Sequence, residues 1–170
     1  MIMKKLILLF TMFSFGITFG QNSEITPDNS WLKLGLNIAA PLGDTADYSS
    51  FMLGFDLRGQ FLVNPNFAIG LASGYNNYFA KDDFDDFGLI PLAAFGRYYF
   101  NESGWFIGLD LGYGFLTNVE NNSGGLYLNP HFGYNTYDWN FYLFYQHTDT
   151  ESDLNIQSLG LGITYNIRFK

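Results

Sequence analysis

The sequence has no cysteine, few charges, and no long apolar run beyond its first twenty residues. Without cysteine, disulfides, thiol catalysis and zinc–thiolate sites are excluded, so hydrogen bonding and packing alone must hold the fold. Charged residues make up 14% of the chain, against about a quarter in an ordinary soluble domain. Much of the surface must therefore be something other than charged. Cations are scarcest: 8 Lys and Arg stand against 16 Asp and Glu, which argues against nucleic acid or an anionic membrane surface as partner. The one sustained apolar stretch, Leu6 to Phe19, is about 14 residues long where a spanning helix needs about 20.

That stretch follows the basic start Met1–Lys5 and ends in Thr18-Phe19-Gly20, with small residues at the two positions a signal peptidase reads. Residues 1–20 are therefore expected to be an export signal and Gln21 the mature N-terminus. Residues 21–30 form a polar periplasmic leader. The competing reading, a helical membrane anchor, suffers from the shortness of the run. Removal of Lys4 and Lys5 leaves 6 basic residues against 16 acidic ones, a net charge of −10.

Aromatics and glycine are plentiful: a fifth of the chain is Phe, Trp or Tyr, and there are 19 glycines. They are arranged with a period of two, the side-chain period of a strand. The last stretch, about 156–169, is the clearest. Leu159, Leu161, Ile163, Tyr165, Ile167 and Phe169 alternate with Gly160, Gly162, Thr164, Asn166 and Arg168. Seven earlier stretches follow the same rule, at about 31–40, 50–63, 67–76, 87–100, 105–116, 125–135 and 139–147. Connections two, four and six are tight turns, the first being Asn64-Pro65-Asn66. Connections one, three, five and seven are longer, about 41–49, 77–86, 117–124 and 148–155.

Short turns alternating with longer loops predict an all-β, eight-stranded antiparallel up-and-down transmembrane β-barrel over residues 31–170, with both termini periplasmic. Trp31, Trp105 and Trp139 start the upward strands, and Phe61, Phe67, Tyr98, Phe100, Tyr137 and Phe169 fall at the same level, as an interfacial aromatic girdle would. The alternative is a soluble lipocalin-like barrel or β-sandwich with the apolar faces inward. The opposite face, mostly Gly, Ala, Asn and Ser, suits a crowded interior better than a soluble surface. Pro91 and Pro130 fall inside strands, where each deletes a ladder donor, so local bulges are expected there.

Ile90-Pro91-Leu92 leading into Arg97-Tyr98-Tyr99-Phe100, the segment Leu128-Asn-Pro130-His-Phe-Gly133-Tyr134 and the terminal Gly160–Phe169 carry a resemblance. With the leader ending before Gln21, the chain resembles the bacterial outer-membrane protein β-barrel domain family of small porin-like barrels. The resemblance spans residues 21–170. It implies a bacterial outer-membrane location and insertion by the barrel assembly machinery guided by the C-terminal strand, and no single shared activity.

Three groups of residues could carry chemistry. Lys33, Asp56, Arg58, Arg97, Asp110 and Arg168 are expected to face inward, with His131 in phase. They form a gated polar channel or a proton-linked site or, as eight strands favour, a paired network that plugs the lumen. His147, Asp149, Glu151 and Ser152 cluster near the last loop, but six adjacent loop positions with no oxyanion-hole signature do not make a hydrolase. Asp82, Asp83, Asp85 and Asp86 flank Phe84 in one loop, and Asp44, Asp47, Glu120, Asp149, Glu151 and Asp153 occupy the others. Four aspartates can collect Ca²⁺ or Mg²⁺, yet the spacing is not that of an EF-hand. The preferred reading is a solvated acidic surface, with divalent cations bridging it to lipopolysaccharide.

The sequence thus assigns no catalytic, cofactor-binding or metal residue. It leads to a barrel with acidic loops and a largely occluded lumen, in a structural or surface-interaction role with outer-membrane lipid and lipopolysaccharide as partners. The alternatives are a narrow porin for small solutes or apolar molecules, and a lipid-modifying enzyme.

Overall fold

Each alternating stretch forms a strand: β1 (Ser30–Leu42), β2 (Ser49–Asn64), β3 (Phe67–Ala80), β4 (Phe87–Tyr99), β5 (Gly104–Thr117), β6 (Gly124–Asn135), β7 (Trp139–Thr150) and β8 (Asn155–Arg168). The computed structural model describes residues 29–81, 84–119, 123–150 and 155–168. The export signal, leader residues 21–28 and Asp82, Asp83, Glu120, Glu151, Ser152, Asp153 and Phe169 lie outside them. Every strand pairs antiparallel with its sequence neighbours and β1 closes on β8, giving an up-and-down barrel without an edge. Closure satisfies the backbone groups that a membrane could not. An even strand count brings Ser30 and Arg168 to one end, which also carries the tight turns. The other end carries the longer connections.

The apolar residues point outward. Leu36, Leu71, Leu92, Leu126 and Leu161 are all more than half exposed, and the belt they belong to runs over all eight strands. A soluble monomer rarely exposes more than a few hundred Å² of contiguous apolar surface. The inverted, lipocalin-like arrangement is therefore not this fold.

Two strands run longer than the alternation suggests. β3 continues to Ala80 and β7 to Thr150, which shortens their connections to 81–86 and 151–154. Asn77 and Thr148-Asp149-Thr150 read as loop because they are polar. In the barrel they are strand, because ladder pairing satisfies their backbone whatever their side chains. Asp149 is thus a strand residue. The first connection holds one helical turn, Thr45–Tyr48, tethered to β8: Thr45 Oγ1 donates to the Asn155 carbonyl (3.0 Å) and accepts from the Gln157 amide (2.8 Å).

The prolines produce no bulge. Around Pro91 the β3–β4 pairing passes from Ser73↔Leu92 to Asn76↔Leu89 in unchanged register. Around Pro130 the β6–β7 pairing passes from Leu128↔His147 to His131↔Phe144 in the same way. Each proline removes two pairs on one side and keeps full pairing on the other, with Gly114 and Leu109 respectively. The register survives because flanking pairs hold it; the irregularities lie instead in β2–β3, at Ser49/Phe51 and Leu62/Asn64.

The girdle also needs one correction. Trp105 and Trp139 face outward, 53% and 42% exposed, whereas Trp31 is in phase with Lys33 and is buried inside the mouth. In vesicles of lipid brominated along its acyl chains, variants retaining only Trp105 or only Trp139 are expected to be strongly quenched. A Trp31-only variant is expected to keep most of its fluorescence; equal quenching of all three would reverse the facing of β1.

Candidate functional site

The inward face of the strands builds a stack of polar layers. At its centre Arg58 of β2 reaches across the barrel to Asp110 of β5 with a two-pronged bond, Nη1 to Oδ1 at 2.7 Å and Nη2 to Oδ2 at 2.9 Å. Its Nε donates to Asp56 two residues away on the same strand, at 2.8 Å. Tyr142 donates to that Asp56 oxygen at 2.6 Å, and Asn129 to Asp110 Oδ2 at 2.8 Å. All these side chains are buried, so this is a fully desolvated ion cluster with its remaining lone pairs largely matched. Such geometry is what makes buried charge tolerable.

Arg97 of β4 is handled differently. It is completely buried, yet among the described residues no carboxylate forms an ion pair with it. Its Nε donates to His131 Nε2 at 3.0 Å, while its guanidinium lies over Phe106 at 4.6 Å and near Phe95 and Tyr142 at 5.7 and 5.8 Å. Aromatic faces take the place of counter-charge, and a desolvated cation–π contact contributes about 2 kcal/mol. His131 accepts from Arg97, so its hydrogen sits on Nδ1, which faces the Asn129 carbonyl at 3.2 Å. Both ring nitrogens are thereby occupied.

Toward the turn end, Lys33 Nζ donates to Asn166 Oδ1 (2.6 Å) and Asn140 Oδ1 (3.1 Å). Toward the loop end, Gln146 joins Asn76 (2.8 Å) and Tyr78 (2.6 Å), and Tyr78 meets Ser158 at 3.2 Å. Above these, Met52, Phe87, Leu89 and Ile156 form a buried apolar cap. The cavity between the central and loop-end layers is about 20 Å³, room for about one water. Larger recesses lie at the two ends, about 630 Å³ inside the turn-end mouth and about 410 Å³ at the loop end, and on the outer wall, where Leu36, Leu53, Phe141 and Leu161 border about 420 Å³.

Of the charges expected inside, Lys33, Asp56, Arg58, Arg97 and Asp110 are brought together with His131. Arg168 is not among them. It sits half-buried at the turn-end rim between Trp31 (4.6 Å) and Tyr137 (4.3 Å), donating to the Tyr137 carbonyl. The aromatic part of the lumen was missed by the sequence reading. Phe95, Phe106, Tyr127, Tyr142 and Phe144 all point inward. The signal was present, since Phe95 stands two before Arg97, Phe106 two before Gly108 and Tyr127 two before Asn129.

The grouping of His147, Asp149, Glu151 and Ser152 is not brought together among the described residues. His147 and Asp149 lie on the outer wall of β7, with His147 stacked beside Tyr145 and Asp149 exposed. Their suggested companions Glu151 and Ser152 lie outside the described residues. Among the described residues no three His, Cys, Asp or Glu side chains converge as metal ligands.

The sequence matches no protein-family model and no curated protein. Among solved structures, the crystal structure of Ail, the attachment invasion locus protein of Yersinia pestis, superposes with a TM-score of 0.60 at 15% identity, over 82% of this chain and 98% of that one. The same protein in a phospholipid bilayer nanodisc gives 0.56 at 16% identity, over 82% and 99%. Neisserial surface protein A gives 0.53 at 14% identity, over 82% and 97%. At such identities the likeness is one of fold, and it covers the whole barrel. In architecture, then, the chain is a small eight-stranded β-barrel of the bacterial outer-membrane type.

Proposed function

We propose that the protein resides in the bacterial outer membrane as a closed barrel, with its termini in the periplasm and its acidic end outside. Its work is structural and surface-directed; it is neither a pore nor an enzyme. The observation that carries this reading is the Arg58–Asp110–Asp56 cluster, which spans the lumen with Arg97 stacked on the rings beside it and a cavity of only about 20 Å³ against it. A hydrated ion or solute needs a continuous path, and eight strands leave little room for one once their inward side chains are large.

The charge asymmetry supports a role for the outer end. Asp44, Asp47, Asp85, Asp86 and Asp149 lie at the loop end, where the single cation is Lys81. Divalent cations there would bridge the carboxylates to lipopolysaccharide phosphates, and the barrel assembly machinery would insert the chain through its alternating C-terminal strand. Ail of Yersinia pestis has been crystallised with the heparin analogue sucrose octasulfate. The acidic end of this chain favours ligands of the opposite sign.

Two measurements test the reading together. The protein from the outer-membrane fraction is expected to migrate as a compact band in SDS that shifts on boiling. In planar bilayers it is expected to give no discrete openings. A soluble, unshifted protein would remove the membrane assignment, and regular unitary currents would replace the closed barrel by a narrow porin.

A further inference from the structure

The loop end carries a feature that neither the closed lumen nor the apolar belt explains. A recess of about 410 Å³ opens there, floored by Phe87 and Ile156 of the buried cap and walled by Tyr48, Phe84 and Val119. The Tyr48 and Phe84 rings meet edge to face at 4.9 Å and are 40% and 50% exposed. Both belong to connections rather than strands, so the lipid belt does not require them.

One carboxylate of the rim is uncommitted. Asp86 serves the local backbone, its Oδ1 accepting from the Ala80 amide at 2.8 Å. Asp85 lines the recess and has no hydrogen-bond or ion-pair partner among the described residues. It also lines an adjoining open space of about 550 Å³ with Asp86 and Asn118. Asp44 and Asp47 are exposed on and beside the helical turn that supplies Tyr48. The nearby cation, Lys81, donates its Nζ to the Ala46 carbonyl.

A recess of this size falls in the range of small-molecule sites, about 300–1,000 Å³, which are characteristically apolar with a few placed polar groups. Two ring faces beside a free carboxylate select for positive charge on an apolar body. We infer that this recess binds small amphipathic cations, aryl or short-alkyl ammonium compounds. The apolar body rests on Phe87 and Ile156 beside the Tyr48–Phe84 ring pair, and the ammonium turns toward Asp85. This names a ligand class for the surface role proposed above, and it rests on that reading only in taking the loop end to face outside.

The test is an amide NMR titration of the barrel in uncharged maltoside micelles. Benzyltrimethylammonium is the probe, with benzyl alcohol and phenylacetate as its neutral and anionic counterparts. Saturable shifts are expected at Tyr48, Phe84, Asp85 and Asn118 for the cation, weaker ones for the alcohol and none for phenylacetate. Asp85→Asn and Phe84→Ala, both at exposed positions, are each expected to weaken binding by about three- to tenfold. Asp138→Asn, at the opposite end, is expected to leave it unchanged.

Shifts that fail to saturate, an equal response to phenylacetate, or wild-type affinity in Asp85→Asn would each overturn the proposal. Conductance separates it from the closed-barrel reading: unitary currents with intact cation binding sink that reading alone, and a silent barrel that ignores the cation sinks this one alone.

Discussion

Replacing Arg58 by alanine is expected to destabilise the barrel by about 3–5 kcal/mol, the usual consequence of removing one partner from a buried ion cluster. Asp110 would lose bonds to both its oxygens and Asp56 would lose one, leaving two carboxylates in a desolvated interior with only Asn129 and Tyr142 to answer them. The effect should appear as a lower urea midpoint in vesicles and as loss of the compact band at a lower temperature.

The triple variant Arg58→Met, Asp56→Asn, Asp110→Asn separates charge from packing. It keeps the volumes and removes the charges, and replacing a whole buried ion cluster is often near neutral. It is therefore expected to recover more than half of the loss. An Arg58→Ala barrel as stable as the parent would mean that the cluster is solvated after all, and with it the closed lumen would be lost.

The second large effect concerns the seam that closes the barrel. Gly35 of β1 pairs with Thr164 of β8. A Cβ at Gly35 would stand 1.9 Å from the Ile163 carbonyl oxygen and 2.7 Å from the Thr164 Cα. These are backbone atoms of a paired strand and cannot swing aside, so Gly35→Ala must push β8 away from β1. Overpacking of side chains alone costs about 1–3 kcal/mol, and a displaced ladder adds lost hydrogen bonds at about 1 kcal/mol each.

We expect Gly35→Ala to cost about 3 kcal/mol on those terms, with a fall in the fraction that refolds to the compact band. Gly59→Ala is the matched control. There the nearest atom to an added Cβ is Leu32 Cδ2 at 3.8 Å. Alanine at that position should be neutral or stabilising by up to about 1 kcal/mol, through the entropy that glycine loses on folding. If the two substitutions behave alike, the tight approach of β1 to β8 is not what closes the barrel.

Strand number, order and facing were legible in the sequence because a period of two is local and the barrel repeats it eight times. Leu36, Leu71 and Leu161 announce the outward face wherever they recur, and Lys33, Arg58 and Asp110 announce the inward one. Strand ends were less legible where β3 and β7 continue past a polar residue, as in Asn77–Ala80 and Thr148–Thr150, since only partner strands reveal that their backbone is paired. Pro91 and Pro130 misled for the same reason: their effect on register depends on how firmly neighbouring pairs hold it.

Composition and periodicity by themselves determined that this chain lacks disulfides, carries an apolar exterior with a crowded interior, and closes with eight strands. The first follows from residue type alone, and the other two from residue type at fixed spacing. Tertiary structure alone decided which interior charges meet. Arg58 and Asp110 are 52 residues apart, and Lys33 and Asn166 are 133 apart. It likewise left Arg97 to aromatic rings and set Tyr48 against Phe84 at the acidic end. Such contacts depend on strand stagger and on which side chains reach across the lumen, quantities that a two-residue period does not contain.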